Sequence, residues 1–161
     1  MNEFTIEKLV GAPKAKVWEV AADIGRVELY HPMVEKSVCT TELQRGRGAA
    51  RRCDFYDGKG HAEEVVTSWN EGTGFTLAVT RGTMPFKSAE ATFTFTESGP
   101  EKTLARVTMR YRMKGGPLGT LLGKLMMTPM MKKMLGSVLD GLDVHCRTGK
   151  RIGHKGVVLD A

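Results

Sequence analysis

The chain has 161 residues, 41% apolar and 26% charged, which is enough for one hydrophobic core and ordinary for a globular domain. No run approaches the ~20 apolar residues of a membrane span. Net charge is +6 but uneven: Arg110 to Lys155 carries ten Lys/Arg against only Asp140 and Asp143, while the rest has fourteen bases and sixteen acids.

"EFTIEKL" alternates Phe4 and Ile6 with Thr5 and Glu7, which predicts a strand. "GAPKAKVWEVAADIG" then predicts a helix, with Pro13 suited to the first turn, Val17, Trp18, Ala21 and Ile24 on one face, and Gly25 as the stop. "RVELYHPM" is a short irregular link, with His31 held extended by Pro32. Strand-like runs follow at 34–43, 49–56, 61–69, 75–81, 88–96 and 103–113, punctuated by turns such as "DGKG", "NEGTG" and "ESGPEK". In the last of these runs Ala105, Val107, Met109, Tyr111 and Met113 alternate with Arg106, Thr108, Arg110 and Arg112. One apolar and one wet face, joined by short turns, imply an antiparallel meander covered on one side.

The pattern after "KGGP" is helical. On one straight helix, at about 100° per residue, Leu118, Leu121, Leu122 and Leu125 share a side nearly opposite Met130, Met134, Val138 and Leu142. Met127, Met131 and Leu135 fall with the second group. A sheet can bury only one such stripe, so a break at Thr128-Pro129 is expected, Thr as N-cap and Pro at the first helical position. This divides the region into a short helix, 117–127, and a re-phased long helix, 129–150. Residues 1–150 then read as a single domain and 151–161 as a basic, flexible tail.

"VGAPKAKVWEVAADIGRVELYHP", "GRGAARRCDF", "VTSWNEGTGFTLAV" and "GGPLGTLL" resemble the START-like (SRPBCC) ligand-binding superfamily, in particular its polyketide cyclase/dehydrase-like branch. The similarity spans residues 3–150. His31 stands where that pattern often has another residue, so no role is inherited there. The resemblance implies an α+β helix-grip fold: a curved antiparallel sheet of six or seven strands wrapped around a long C-terminal helix, with a cavity between them. It also implies a hydrophobic small-molecule ligand such as a lipid, quinone or polyketide. It fixes no activity, because members include carriers, cyclases and chaperone activators.

Under that fold the cavity wall is expected to include Phe93, Met109, Met130, Met134 and Val138, with methionine supplying an adaptable surface. Polar candidates are Tyr111, whose hydroxyl finds either a core partner or a ligand, and Arg81, an anion anchor if it points inward. Tyr30 and His31 border the expected mouth, and Trp69 lies at the rim. Arg51 shares a strand face with Cys53 and Phe55 and is otherwise expected to be buried against an acid. His61 and Glu63 share a face but lack a visible third ligand. No nucleophile motif, P-loop or dinucleotide motif is present, and no cofactor or metal is expected.

A cyclase/dehydratase using the same cavity is the alternative reading. A third is docking of the basic last third on a membrane or a macromolecule. Leu118, Leu122 and Met126 beside Lys124 would give a weak membrane contact. Nucleic acid is not expected, because the basic stretch lacks interleaved aromatics. Three cysteines without metal spacing, and an acidic N-terminus without a signal core, suggest a reduced, cytoplasmic setting.

Overall fold

The alternating segments form seven strands in the computed structural model, which describes residues 1–160. They are β1 (Asn2–Val10), β2 (Val34–Cys39), β3 (Ala50–Phe55), β4 (His61–Asn70), β5 (Gly74–Gly82), β6 (Phe86–Gly99) and β7 (Lys102–Met113). They make one antiparallel sheet in the order β1-β7-β6-β5-β4-β3-β2. Register shifts in the β2–β3, β4–β5 and β6–β7 pairs bend it. The second strand is shorter than the run 34–43, because the chain turns away from the sheet over residues 41–47.

The connection from β1 to β2 crosses to the opposite edge of the sheet. It runs through α1 (Lys14–Ala22) and a 3-10 turn at Ile24–Leu29, so α1 stops before the expected Gly25. The carbonyl of Pro13 accepts the first helical bonds, from Lys16 and Val17. Val17, Trp18, Ala21 and Ile24 are buried as their spacing requires.

The expected break at Thr128-Pro129 does not occur. α2 (Gly116–Leu122), a π-helical turn (Gly123–Met127) and α3 (Thr128–Thr148) run on continuously. Thr128 has right-handed helical backbone angles and does not cap, and its N–H reaches the carbonyl of Gly123, five residues back. Pro129 has no N–H to donate and its ring crowds the preceding turn, and a widened π turn absorbs that conflict without ending the helix. The turn corrects the phase of α3. It also leaves the leucines of α2 outside the core, contrary to expectation.

α3 lies against the sheet through Leu135, Val138, Leu139 and Leu142. Gly141 lets it approach the link before β2, because a Cβ there would collide with the carbonyl of Tyr30. Its outer side is tied to the first strand by Lys8–Asp140 at 2.9 Å and by Asp143, which accepts the Gly11 N–H at 2.8 Å. The tail expected to be flexible is folded back. Ile152 is buried and donates its N–H to Leu29, a bridge joins Ile152 to Val158, and His154 stacks on Tyr56.

Candidate functional site

The sheet and the inner face of α3 enclose a cavity of about 120 Å³. β5, β6 and β7 supply Leu77, Phe93 and Met109, α3 supplies Met131, Met134, Leu135 and Val138, and the link before β2 supplies Val27, Tyr30, His31 and Met33. Five of the ten methionines, Met33, Met84, Met109, Met131 and Met134, border this space. A void of that size takes about one benzene ring. Unbranched thioethers change rotamer at small cost, so a wall built from them can give way to a larger guest.

One end is polar. Arg51 projects from β3 into the interior, where its Nε donates to Glu64 of β4 at 2.7 Å and its Nη1 to the carbonyl of Ile24 at 3.0 Å. Adjacent strands place the two residues directly opposite each other, Arg51 beside Glu64. Burial opposes the guanidinium charge, but the Glu64 carboxylate and its hydrogen bond, together with the neighbouring Cys53 and Tyr30, hold Arg51 above its ordinary pKa.

Tyr30 is a buried residue that borders the cavity, and its hydroxyl makes no hydrogen bond among the described residues. Burial, only partly offset by Arg51, keeps it protonated. His31 is half-buried, and its Nδ1 accepts the Met33 N–H at 3.1 Å, which leaves the ring proton on Nε2. Burial and the Arg51 charge lower its pKa to about 3, so it is neutral at neutral pH. Cys53 also borders the cavity, and burial pushes its thiol up to about 12. It is a packed thiol without thiolate character.

Tyr30, His31, Phe93, Met109, Met134 and Val138 therefore line one space. The other four candidates do not. Met130 is 49% exposed, because the face of α3 centred between Leu135 and Val138 lies about 120° from it. Tyr111 is fully buried and donates its hydroxyl to the carbonyl of Gly123 at 2.8 Å, with Thr128 also in reach, so it fastens the π turn. The Arg81 side chain is 79% exposed and pairs with Glu63 at 3.6 Å, snorkelling off the strand end. Glu63, the residue paired in sequence with His61, thus stands among arginines, Arg52 being 3.9 Å away. Trp69 packs edge-on to Trp18 and donates to Glu71 at 2.7 Å, under the guanidinium of Arg45.

Sequence reasoning missed Met131 and Leu135 as wall residues and Glu64 as the partner of Arg51. The first two were visible in phase with Val138 and Leu142. A charged residue on an apolar strand face was the only signal for the ion pair.

With this geometry the helix-grip class is defined: a curved antiparallel sheet holding a long C-terminal helix over a cavity. The family model described as polyketide cyclase / dehydrase and lipid transport matches residues 1–147, and the chain belongs to that family.

Similar solved structures include TTHA0849 from Thermus thermophilus, with 23% identity and a TM-score of 0.74 over 92% of this chain and 99% of that one. A START superfamily protein from Mycobacterium smegmatis is 20% identical, with a TM-score of 0.66 over 91% and 94%. The di-domain ARO/CYC protein BexL, from the BE-7585A biosynthetic pathway, is 13% identical with a TM-score of 0.74 over 90% of this chain and 47% of its own. At these identities the likeness is one of fold. No curated protein matches in sequence.

Proposed function

We propose that the protein binds a hydrophobic small molecule bearing a hydrogen-bond acceptor, such as the carbonyl of a quinone, polyketide or lipid. The observation that carries this reading is the pairing of a methionine-rich apolar cavity with Tyr30, His31 and Arg51 at one end. Small-molecule sites are built in this way, with apolar walls for affinity and a few polar groups for orientation. The Tyr30 O–H and the His31 Nε2–H are donors without a ligand-free duty, and Glu64 already balances the Arg51 charge. A neutral acceptor therefore suits the site better than a carboxylate.

Size argues for a ligand larger than the resting cavity. A single ring burying about 200 Å² of apolar surface gains about 5 kcal/mol, equivalent to a dissociation constant of about 0.2 mM before ordering costs. Useful affinity requires more buried surface, which the movable methionines can admit. Native mass spectrometry of protein purified from its own host, followed by organic extraction, tests this. A released carbonyl-bearing hydrophobe, with affinity lowered in Tyr30→Phe, is the expected result. An apo mass together with no thermal shift across a library of quinones, polyketides and lipids would sink the reading.

The family description and the likeness to an ARO/CYC protein favour a second reading, a cyclase/dehydratase in the same cavity. Proton transfer is most efficient when the group's pKa lies near the working pH. His31 at about 3 and a Tyr30 phenol pushed above its ordinary range are both poorly matched. This weighs toward binding. Turnover of a bound polyketide that is lost in His31→Gln, with binding retained, would reverse the preference.

A further inference from the structure

α2 is amphipathic the wrong way round. Gly119, and Gly123 in the π turn, face the protein, and its leucines face outward. Gly119 and Gly123 are buried, and a Cβ on either would strike the carbonyl of Lys114 or come 2.6 Å from Asn2 Nδ2. The opposite side presents Leu118 at 66% exposure, Leu125 at 64% and Met126 at 69%, with Leu121, Leu122 and Met130 also exposed. From Leu118 to Met130 this stripe extends about 18 Å along the rod. It is held there by the Tyr111 and Thr128 hydroxyls, both bonded to the Gly123 carbonyl in the π turn.

Such a stripe could be covered by lipid, by a second copy of the chain or by another protein, and its charge decides between them. No acid occurs between Glu101 and Asp140, while Lys124 lies within the stripe, Lys133 follows it on the same rod, and Arg112 and Lys114 sit beside the start of α2. A two-fold contact between copies would set these cations against one another. Protein interfaces draw their anchors from Trp, Tyr and Arg, whereas this stripe contains only Leu and Met. Aliphatic side chains flanked by lysines match an anionic bilayer, where acyl chains accept the apolar side and headgroup phosphates the ammonium groups.

We propose that α2 and the π turn form a docking surface for anionic lipid membranes, with Leu118, Leu121, Leu122, Leu125 and Met126 entering the interface. The surface is separate from the cavity and does not depend on what the cavity holds. No helix among the described residues is long and apolar enough to span a membrane, so the attachment is peripheral.

The test is co-sedimentation of the full chain with phosphatidylcholine vesicles, without or with about a third phosphatidylglycerol. Binding is expected at least tenfold tighter on the anionic vesicles and largely lost at about 1 M salt. The double variant Leu121→Asp, Leu125→Asp should lose binding about tenfold or more, since each charge must be withdrawn from the interface. Both positions are exposed, so circular dichroism should show the variant folded; Leu43→Asp, at an exposed site on another part of the chain, should bind as the parent does.

Equal affinity for neutral and anionic vesicles, no binding to either, or an α2 variant that binds unchanged would overturn the proposal. So would a dimer, seen in sedimentation velocity and dispersed by the same variant, which would give the stripe to a second copy. Capture of a defined protein through the stripe, without vesicle binding, would equally assign it elsewhere.

Discussion

α3 and α2 with its π turn are parts of one continuous rod, both supplied with Leu and Met, and they place those side chains in opposite ways. On α3, Met131, Leu135, Val138 and Leu142 turn inward and either line the cavity or close the core behind it. On α2 the inward positions are glycine and the apolar side chains face out. A single π turn separates the two arrangements. Hydrophobicity alone therefore does not say what a helix buries. Which backbone can come close to its neighbour matters as much, and glycine on the near side draws the helix in while leaving its larger residues unpartnered.

The contrast should break most sharply on the cavity side. Arg51→Ala leaves Glu64 with its partner gone in a largely buried site, and urea unfolding should show a loss of about 3–5 kcal/mol. The double change Arg51→Met, Glu64→Leu should regain most of that, because no unpaired charge remains.

Leu139→Ala, on the buried face of α3, should cost about 2–5 kcal/mol, whereas Leu121→Ala on α2 should stay within about 0.5 kcal/mol of the parent. Equal losses at the two sites would mean that α2 is packed against something within the fold. Gly119→Val should cost about 1–3 kcal/mol by pushing α2 off the carbonyl of Lys114. Hydrogen exchange should show the loss of protection confined to α2 and the π turn.

The last prediction concerns pH. The His31 pKa is lowered from 6.5 to about 3 by burial and by Arg51, so the folded state disfavours the proton that the unfolded chain accepts. The associated stability is complete above about pH 6.5 and declines as the pH falls toward 3. Thermal melting across that window should show the decline, with a shallower slope in His31→Gln. An unchanged slope would place the acid sensitivity on other groups.

Much of this molecule is legible in its sequence. Alternation locates the six later strands, and the phasing of Val17, Trp18, Ala21 and Ile24 gives the buried face of the first helix. Six of the ten cavity candidates converge on one space. The errors have distinct physical origins. A helical wheel points to Met130 rather than Met131 because it cannot locate the centre of the buried arc, which is set by where the sheet lies. Tyr111 satisfies the requirement that a buried hydroxyl find a partner, but that partner, Gly123, is identifiable only once the π turn stands over the last strand. The ion pair of Arg51 with Glu64 depends on the register of β3 on β4, which neither strand specifies alone.

What the sequence determined by itself was periodicity and the chemistry carried on it: strands from a two-residue repeat, helices from a repeat near four, a basic last third, and a concentration of methionines early in the last helix. Backbone sterics and side-chain polarity act locally, so these follow from neighbours along the chain. The tertiary structure alone decided which face each stripe meets. Pro129 could have ended a helix or, as here, been absorbed in a π turn. That choice rests on Gly119 and Gly123 fitting against Lys114 and Asn2, contacts between residues up to about 120 positions apart that no local pattern encodes.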